Sequence, residues 1–152
     1  MRILFVPAAG GVGLGPLTNV LSLAEVAADS GHNVAFMCKG AWEPLIGRLG
    51  YLMYAAPLPE KFKGKLPPPY KLSDVLIGLG WADKNFIRES IASEIKAIAS
   101  FSADVVVSML QVTAPISATV MHKPSVSIFS WADGPTFTSP LYKKDDSINK
   151  IS

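Results

Sequence analysis

Residues 1–39 read as strand, glycine loop, helix and strand in immediate succession, an order that few folds accommodate. Residues 2–7 (RILFVP) form a short apolar run stopped by a proline, the pattern of a parallel strand buried on both faces. Residues 8–15 (AAGGVGLG) then carry four glycines in eight positions. The spacing predicts a helix opening on Pro16, whose fixed φ suits a first helical turn. Leu17, Val20, Leu21, Ala24 and Ala27 or Ala28 recur at helical intervals, and Gly31 is placed to end the run. Residues 34–38 (VAFMC) read as the next buried strand. A β-α-β unit with a glycine-rich first turn predicts an α/β ligand-binding domain.

The rest of the chain extends the same alternation. A short helix is expected over 42–49, broken by Gly50, and a third strand over 51–56. Residues 57–72 hold five prolines and four lysines, which predicts a long mobile loop. Ser73 or Asp74 can cap a short helix through Leu79. Asp83 can cap the longest helix, in which Ile87, Ile91, Ile95 and Ile98 form an apolar stripe opposite Arg88, Glu94 and Lys96. A fourth strand over 103–109, a helix over 114–121 and a fifth strand over 125–129 complete the series. Right-handed crossovers turn this order into a doubly wound parallel sheet, a three-layer α/β/α Rossmann-like domain spanning 1–152. Residues 132–152 turn polar and loop-like, so the sheet reads as unfinished.

Composition narrows the partners. The 152 residues, 49% hydrophobic and 17% charged, suit one domain with a substantial core. A net charge of +2, with lysines scattered rather than interleaved with aromatics, gives no footprint for nucleic acid. The single cysteine, Cys38, forbids an internal disulfide and fits a reducing compartment, and its place at the end of an apolar strand makes it a small core residue. No run approaches the ~20 apolar residues of a membrane span. A cytoplasmic protein without a bound metal or cofactor is expected.

Ligands of such sheets bind beyond the carboxyl ends of the strands. Segments 8–15, 39–42, 57–72, 110–113 and 130–137 converge there. Gly11, Gly13 and Gly15, followed by a helix, offer backbone N–H groups beside the positive end of a helix dipole, suited to an anion or a closely apposed ligand. Equally, glycine is needed for a tight strand-to-helix turn whatever binds. A dinucleotide site fits poorly: the spacing is Gly-x-Gly-x-Gly, and Cys38-Lys39 stands where an acidic residue meets the ribose. A P-loop is excluded, because no Gly-Lys-Ser/Thr follows. Trp42, Tyr70, Trp131, Phe137 and Tyr142 are aromatic candidates for an apolar pocket wall.

Residues 15–34 (GPLTNVLSLAEVAADSGHNV) resemble the first helix of two-Rossmann-domain GT-B glycosyltransferases, the UDP-glycosyltransferase and macrolide glycosyltransferase groups. A second stretch, 103–107 (ADVVV), Ala114-Pro115 and 123–128 (KPSVSI), is similar to their later strand-helix-strand segment. The resemblance implies the acceptor-binding N-terminal domain of an enzyme that moves a sugar from a nucleotide-sugar donor, UDP- or TDP-linked, to a small-molecule or lipid acceptor. It implies substrate contacts at Gly11, Gly13, Gly15, Thr18, Gln111, Thr113 and Trp131. The donor site would lie in a second Rossmann domain, in cis or on a separate subunit, so this chain alone would be incomplete.

Two departures stand out. The general base of the family, a histidine, falls on Pro16, which cannot take a proton. The acid that orients it in many members falls near Gln111, a neutral amide. His32 matches the second histidine of the motif, roughly 20 Å or more along the helix at about 1.5 Å per residue. His122 precedes the fifth strand at the wrong edge. Both histidines read as structural, and no catalytic residue is assigned. The competing expectations are a non-catalytic binding subunit of a split glycosyltransferase, docking through the sheet edge and tail, and a dinucleotide-binding domain.

Overall fold

The computed structural model describes residues 1–8, 15–40, 42–59, 77 and 80–128. The elements follow in the expected alternation: β1 (Arg2–Pro7), α1 (Gly15–Asp29), β2 (Asn33–Cys38), α2 (Glu43–Arg48), β3 (Leu52–Ala55), α3 (Lys84–Phe101), β4 (Val105–Met109), α4 (Ala114–Val120) and β5 (Ser125–Ile128). All four strand pairs are parallel, in the order β3-β2-β1-β4-β5. The doubly wound sheet is therefore present as expected. The proline-rich stretch beyond Pro59, the short helix after Ser73 apart from the helical Ile77, and the tail beyond Ile128 lie outside the described residues.

Two apolar layers cover the sheet. On one face Ile3, Phe5, Phe36 and Cys38 meet Leu17, Val20 and Ala24 of α1 and Ile46 of α2. On the other, Leu4, Val6, Ala35, Met37 and Val106 meet Phe86, Ala97, Ile98 and Phe101 of α3 and Ala114 and Ala118 of α4. Alternation along each strand assigns neighbours to opposite faces. Continuous apolar runs arise because both faces are buried. Cys38 packs there as expected, its thiol pushed up to about 11 by burial, then by the charge of Glu43. Trp42 is also buried in this layer, as a structural rather than a ligand-facing aromatic.

The ends of the elements show how local chemistry fixes them. Asp104, just before β4, accepts from the Arg2 backbone N–H at 2.7 Å and donates its own N–H to the Arg2 carbonyl at 2.8 Å. The two central strands are thereby pinned in register at their amino ends. Gly31, at φ +80°, closes the end of α1 in the left-handed backbone region. Gly80, at φ +90°, leads into α3 so close to Pro59 that a Cβ there would lie 2.4 Å from the proline Cβ.

One sequence expectation fails here. Of the isoleucine stripe only Ile98 belongs to the buried face of α3: Ile87, Ile91 and Ile95 are half-buried, whereas Phe86, Ser90, Glu94, Ala97, Ile98 and Phe101 are buried. The true face lies one residue, about 100°, round from the expected one. Glu94, assigned from sequence to the solvated side, is fully buried. Small residues on α4 (Ala114, Ser117, Ala118) admit the Glu94 side of α3 and turn the isoleucines toward the flank.

Asp83 caps α3, its carboxylate accepting from the Asn85 and Phe86 backbone N–H groups at 2.8 and 3.4 Å. Asp83→Ala is expected to lower stability by about 1 kcal/mol in urea denaturation. An unchanged midpoint would show that tertiary packing alone sets this helix end.

Candidate functional site

The strand order reverses between β1 and β4. From β1 the chain passes to α1 on one face, and from β4 to α4 on the other. Their following segments lead away to opposite faces at the carboxyl ends, the place where open α/β sheets generally take their ligands. The two strands stay joined to the last residue: Pro7 is in register with Met109, and the Ala8 N–H donates to the Met109 carbonyl at 2.9 Å. One of these segments begins at Ala8 and resumes at Gly15, the first residue of α1. The other is the β4–α4 loop, 110–113.

Leu110 opens that loop with φ +56°. Among the described residues, the other non-glycine positions with positive φ, Ser102 and His122, follow the last turns of α3 and α4, where left-handed caps are common. Leu110 closes no helix, and a bulky residue held there carries backbone strain. Such strain persists only where surrounding contacts over-determine the conformation.

Those contacts centre on Glu94. Its Oε1 accepts from Gln111 Nε2 at 2.8 Å and from Thr113 Oγ1 at 2.6 Å, and its Oε2 accepts from Ser117 Oγ at 2.5 Å. Gln111 Nε2 also donates to Thr113 Oγ1 at 3.2 Å. One carboxylate on α3 thus holds the loop and the second turn of α4 together. The carboxyl is pushed above the usual carboxylate range by burial, which outweighs the lowering effect of its three hydrogen bonds. Among the described residues, the buried polar side chains Ser90, Glu94, Ser108, Gln111, Thr113 and Ser117 all belong to this side of the sheet. Ser90, one turn before Glu94, is fully buried with no hydrogen-bond partner for its Oγ among the described residues.

Beside this network lies a cavity of about 170 Å³ at the ends of β4 and β5, lined by Ser108, Leu110, Gln111, Val112, Pro115 and Ser127. The Ser108 and Ser127 hydroxyls are 3.2 Å apart on its wall.

The expected site residues separate into three groups. Gln111 and Thr113 come together at the β4–α4 loop; both are buried, and the contacts just given tie them to Glu94. Gly15 and Thr18 lie in the first turn of α1, Thr18 exposed and its carbonyl accepting from Ser22 Oγ at 3.1 Å. Pro16 stands in the same turn. Gly11, Gly13 and Trp131 lie outside the described residues. His32 and His122 sit before β2 and β5, at the amino edge of the sheet, away from the carboxyl ends of the strands. Glu94 is the residue sequence reasoning missed. A glutamate one turn after Ser90 on the Phe86 face was the available signal, masked by the adjacent isoleucines.

No protein-family model matches the sequence, and no curated protein matches it. Solved structures do. The chain is similar to MurG of Acinetobacter baumannii, with a TM-score of 0.58 at 14% identity over 83% of this chain and 34% of that one. It is similar to the calicheamicin glycosyltransferase CalG4, with a TM-score of 0.61 at 15% identity over 99% of this chain and 40% of the other. It is also similar to the Streptomyces sp. SF2575 glycosyltransferase SsfS6 complexed with thymidine diphosphate, with a TM-score of 0.59 at 15% identity over 84% and 38%. The fold is that of one part of a GT-B glycosyltransferase. The chain spans between a third and two fifths of the length of these structures.

The position of Glu94 makes stability depend on pH. An unfolded glutamate titrates at about 4.3, and the folded carboxyl titrates higher, so the folded state holds the proton more tightly. The contribution is full below the unfolded value and is lost as pH rises through the folded one. Relative to Glu94→Gln, the wild type is expected to lose stability across that window in urea titrations at successive pH values. A wild type that instead gains on the variant as pH rises would mean that the three hydrogen bonds outweigh burial. Glu94→Ala, which strands three donors, is expected to cost on the order of 3–5 kcal/mol.

Proposed function

We propose that the chain is the acceptor-binding half of a glycosyltransferase. The observation that carries this reading is the reversal of strand order between β1 and β4, in a sheet shared with about a third of several solved glycosyltransferases. In this reading a small-molecule or lipid alcohol lies against the first turn of α1 and the β4–α4 loop. The nucleotide-sugar, TDP- or UDP-linked, is held by a second Rossmann domain, in cis or on a partner subunit. The complex of SsfS6 with thymidine diphosphate supports a nucleoside-diphosphate donor for this fold. Cytoplasmic placement belongs to the same reading. Among the described residues no helix is long and apolar enough to cross a membrane.

The chemistry available here is binding and orientation. Pro16, where the family places its base, has no proton acceptor, and Gln111, where the orienting acid falls, is a neutral amide. Proton removal from the acceptor would then come from the partner domain. A second reading, a binding subunit that positions an acceptor without chemistry of its own, is favoured by the same pair of residues.

Calorimetry distinguishes these from a nucleotide-binding domain. The full chain is expected to bind an aromatic alcohol such as 4-methylumbelliferone and to show no micromolar affinity for UDP-glucose. Gly13→Val, a β-branched change within the glycine-rich stretch, is expected to weaken the alcohol at least about tenfold with the thermal midpoint nearly unchanged. Micromolar UDP-glucose binding by this chain alone would contradict the assignment. A Gly13→Val affinity that falls only with the folded fraction would reduce the glycines to a tight turn.

A further inference from the structure

The β4–α4 loop stands at the carboxyl end of β4, yet nothing in its own sequence explains its shape. Residues 110–113 include no glycine or proline, and Leu110 adopts a backbone that leucine rarely takes. What restrains it comes from elsewhere. Gln111 and Thr113 reach inward to the same carboxylate oxygen, 17 and 19 residues away in sequence, and Ser117 holds the second oxygen from α4. A carboxylate accepts at several lone pairs and donates none, so one group can gather an amide and two hydroxyls without competing for their protons. A glutamine offers one acceptor oxygen in place of two, and its amide would force the Ser117 hydroxyl to turn from donor to acceptor.

We propose that Glu94 is a positioning residue for the acceptor site, holding in place Leu110 and Gln111, which line the adjacent cavity. The proposal rests on reading the β1–β4 reversal as an acceptor site. Glu94 makes no contact with an acceptor itself, being fully buried beneath the loop. It replaces, by a carboxylate brought from α3, the local order that a turn-forming sequence would have supplied.

Backbone ¹⁵N relaxation on the full chain tests this directly. In the wild type, residues 110–113 are expected to show order parameters near 0.85, as in rigid backbone. In Glu94→Gln they are expected to fall below about 0.6, while β1 and β2 stay rigid. The dissociation constant for 4-methylumbelliferone is expected to rise at least tenfold in that variant. Loop order parameters that stay high, or that fall together with those of β1 and β2, would overturn the proposal. So would a loosened loop with unchanged affinity. If Glu94→Gln does not fold, Ser117→Ala removes a single donor and is read by the same relaxation measurement. If the wild type does not bind the alcohol, the acceptor reading fails, and the order parameters still decide whether Glu94 holds the loop.

Discussion

A single buried carboxylate ties the β4–α4 loop to the helices behind it. Taking Glu94 out of water is costly, and the structure offsets that cost with three short hydrogen bonds from Gln111, Thr113 and Ser117. Its elevated proton affinity shows that the compensation is partial. Polar burial of this kind fixes geometry. An apolar residue at position 94 could pack in several ways, whereas a carboxylate with three donors has one arrangement that satisfies them all. The consequence is local rigidity where the strand order reverses and the chain has no turn-forming residues of its own.

The scaffold around that point is ordinary in its energetics. Continuous apolar strands are covered on both faces, and the two central strands are tied at one end by Asp104 and at the other by the Ala8–Met109 bond. These contacts fix where the two loops emerge. They leave the shape of each loop to other forces. On the β4 side, Glu94 supplies hydrogen bonds to Gln111 and Thr113 from behind the loop.

Much of this was legible in the sequence because the signals were local. The apolar runs of β1, β2 and β4, the cap at Asp83, the helix end at Gly31 and the alternation of elements each depend on residues a few positions apart. Glu94 was not legible, for a physical reason. Ile87, Ile91 and Ile95 repeat at helical spacing and suggest a core face, yet the face that packs is one residue round, and it includes a serine and a glutamate. Which side of a helix turns inward is decided by the neighbour, here the small residues of α4, and that neighbour lies some twenty residues further on. Gln111 and Thr113, singled out by the resemblance, do lie together in the β4–α4 loop. What the resemblance could not supply was the carboxylate that holds both of them, since this partner comes from a different element.

The departures at Pro16 and Gln111 have a common meaning in this setting. A domain that binds and orients an alcohol needs a shaped wall and a rigid loop, and it can leave proton transfer to whatever carries the donor. The central claim is therefore about place: the ligand lies at the β1–β4 reversal. Chemical-shift mapping of the ¹⁵N-labelled full chain with 4-methylumbelliferone tests it most directly. The account predicts perturbations centred on residues 8–18 and 110–113. Perturbations centred on the opposite edge, around His32 and His122, or along the outer strand β3, would contradict it.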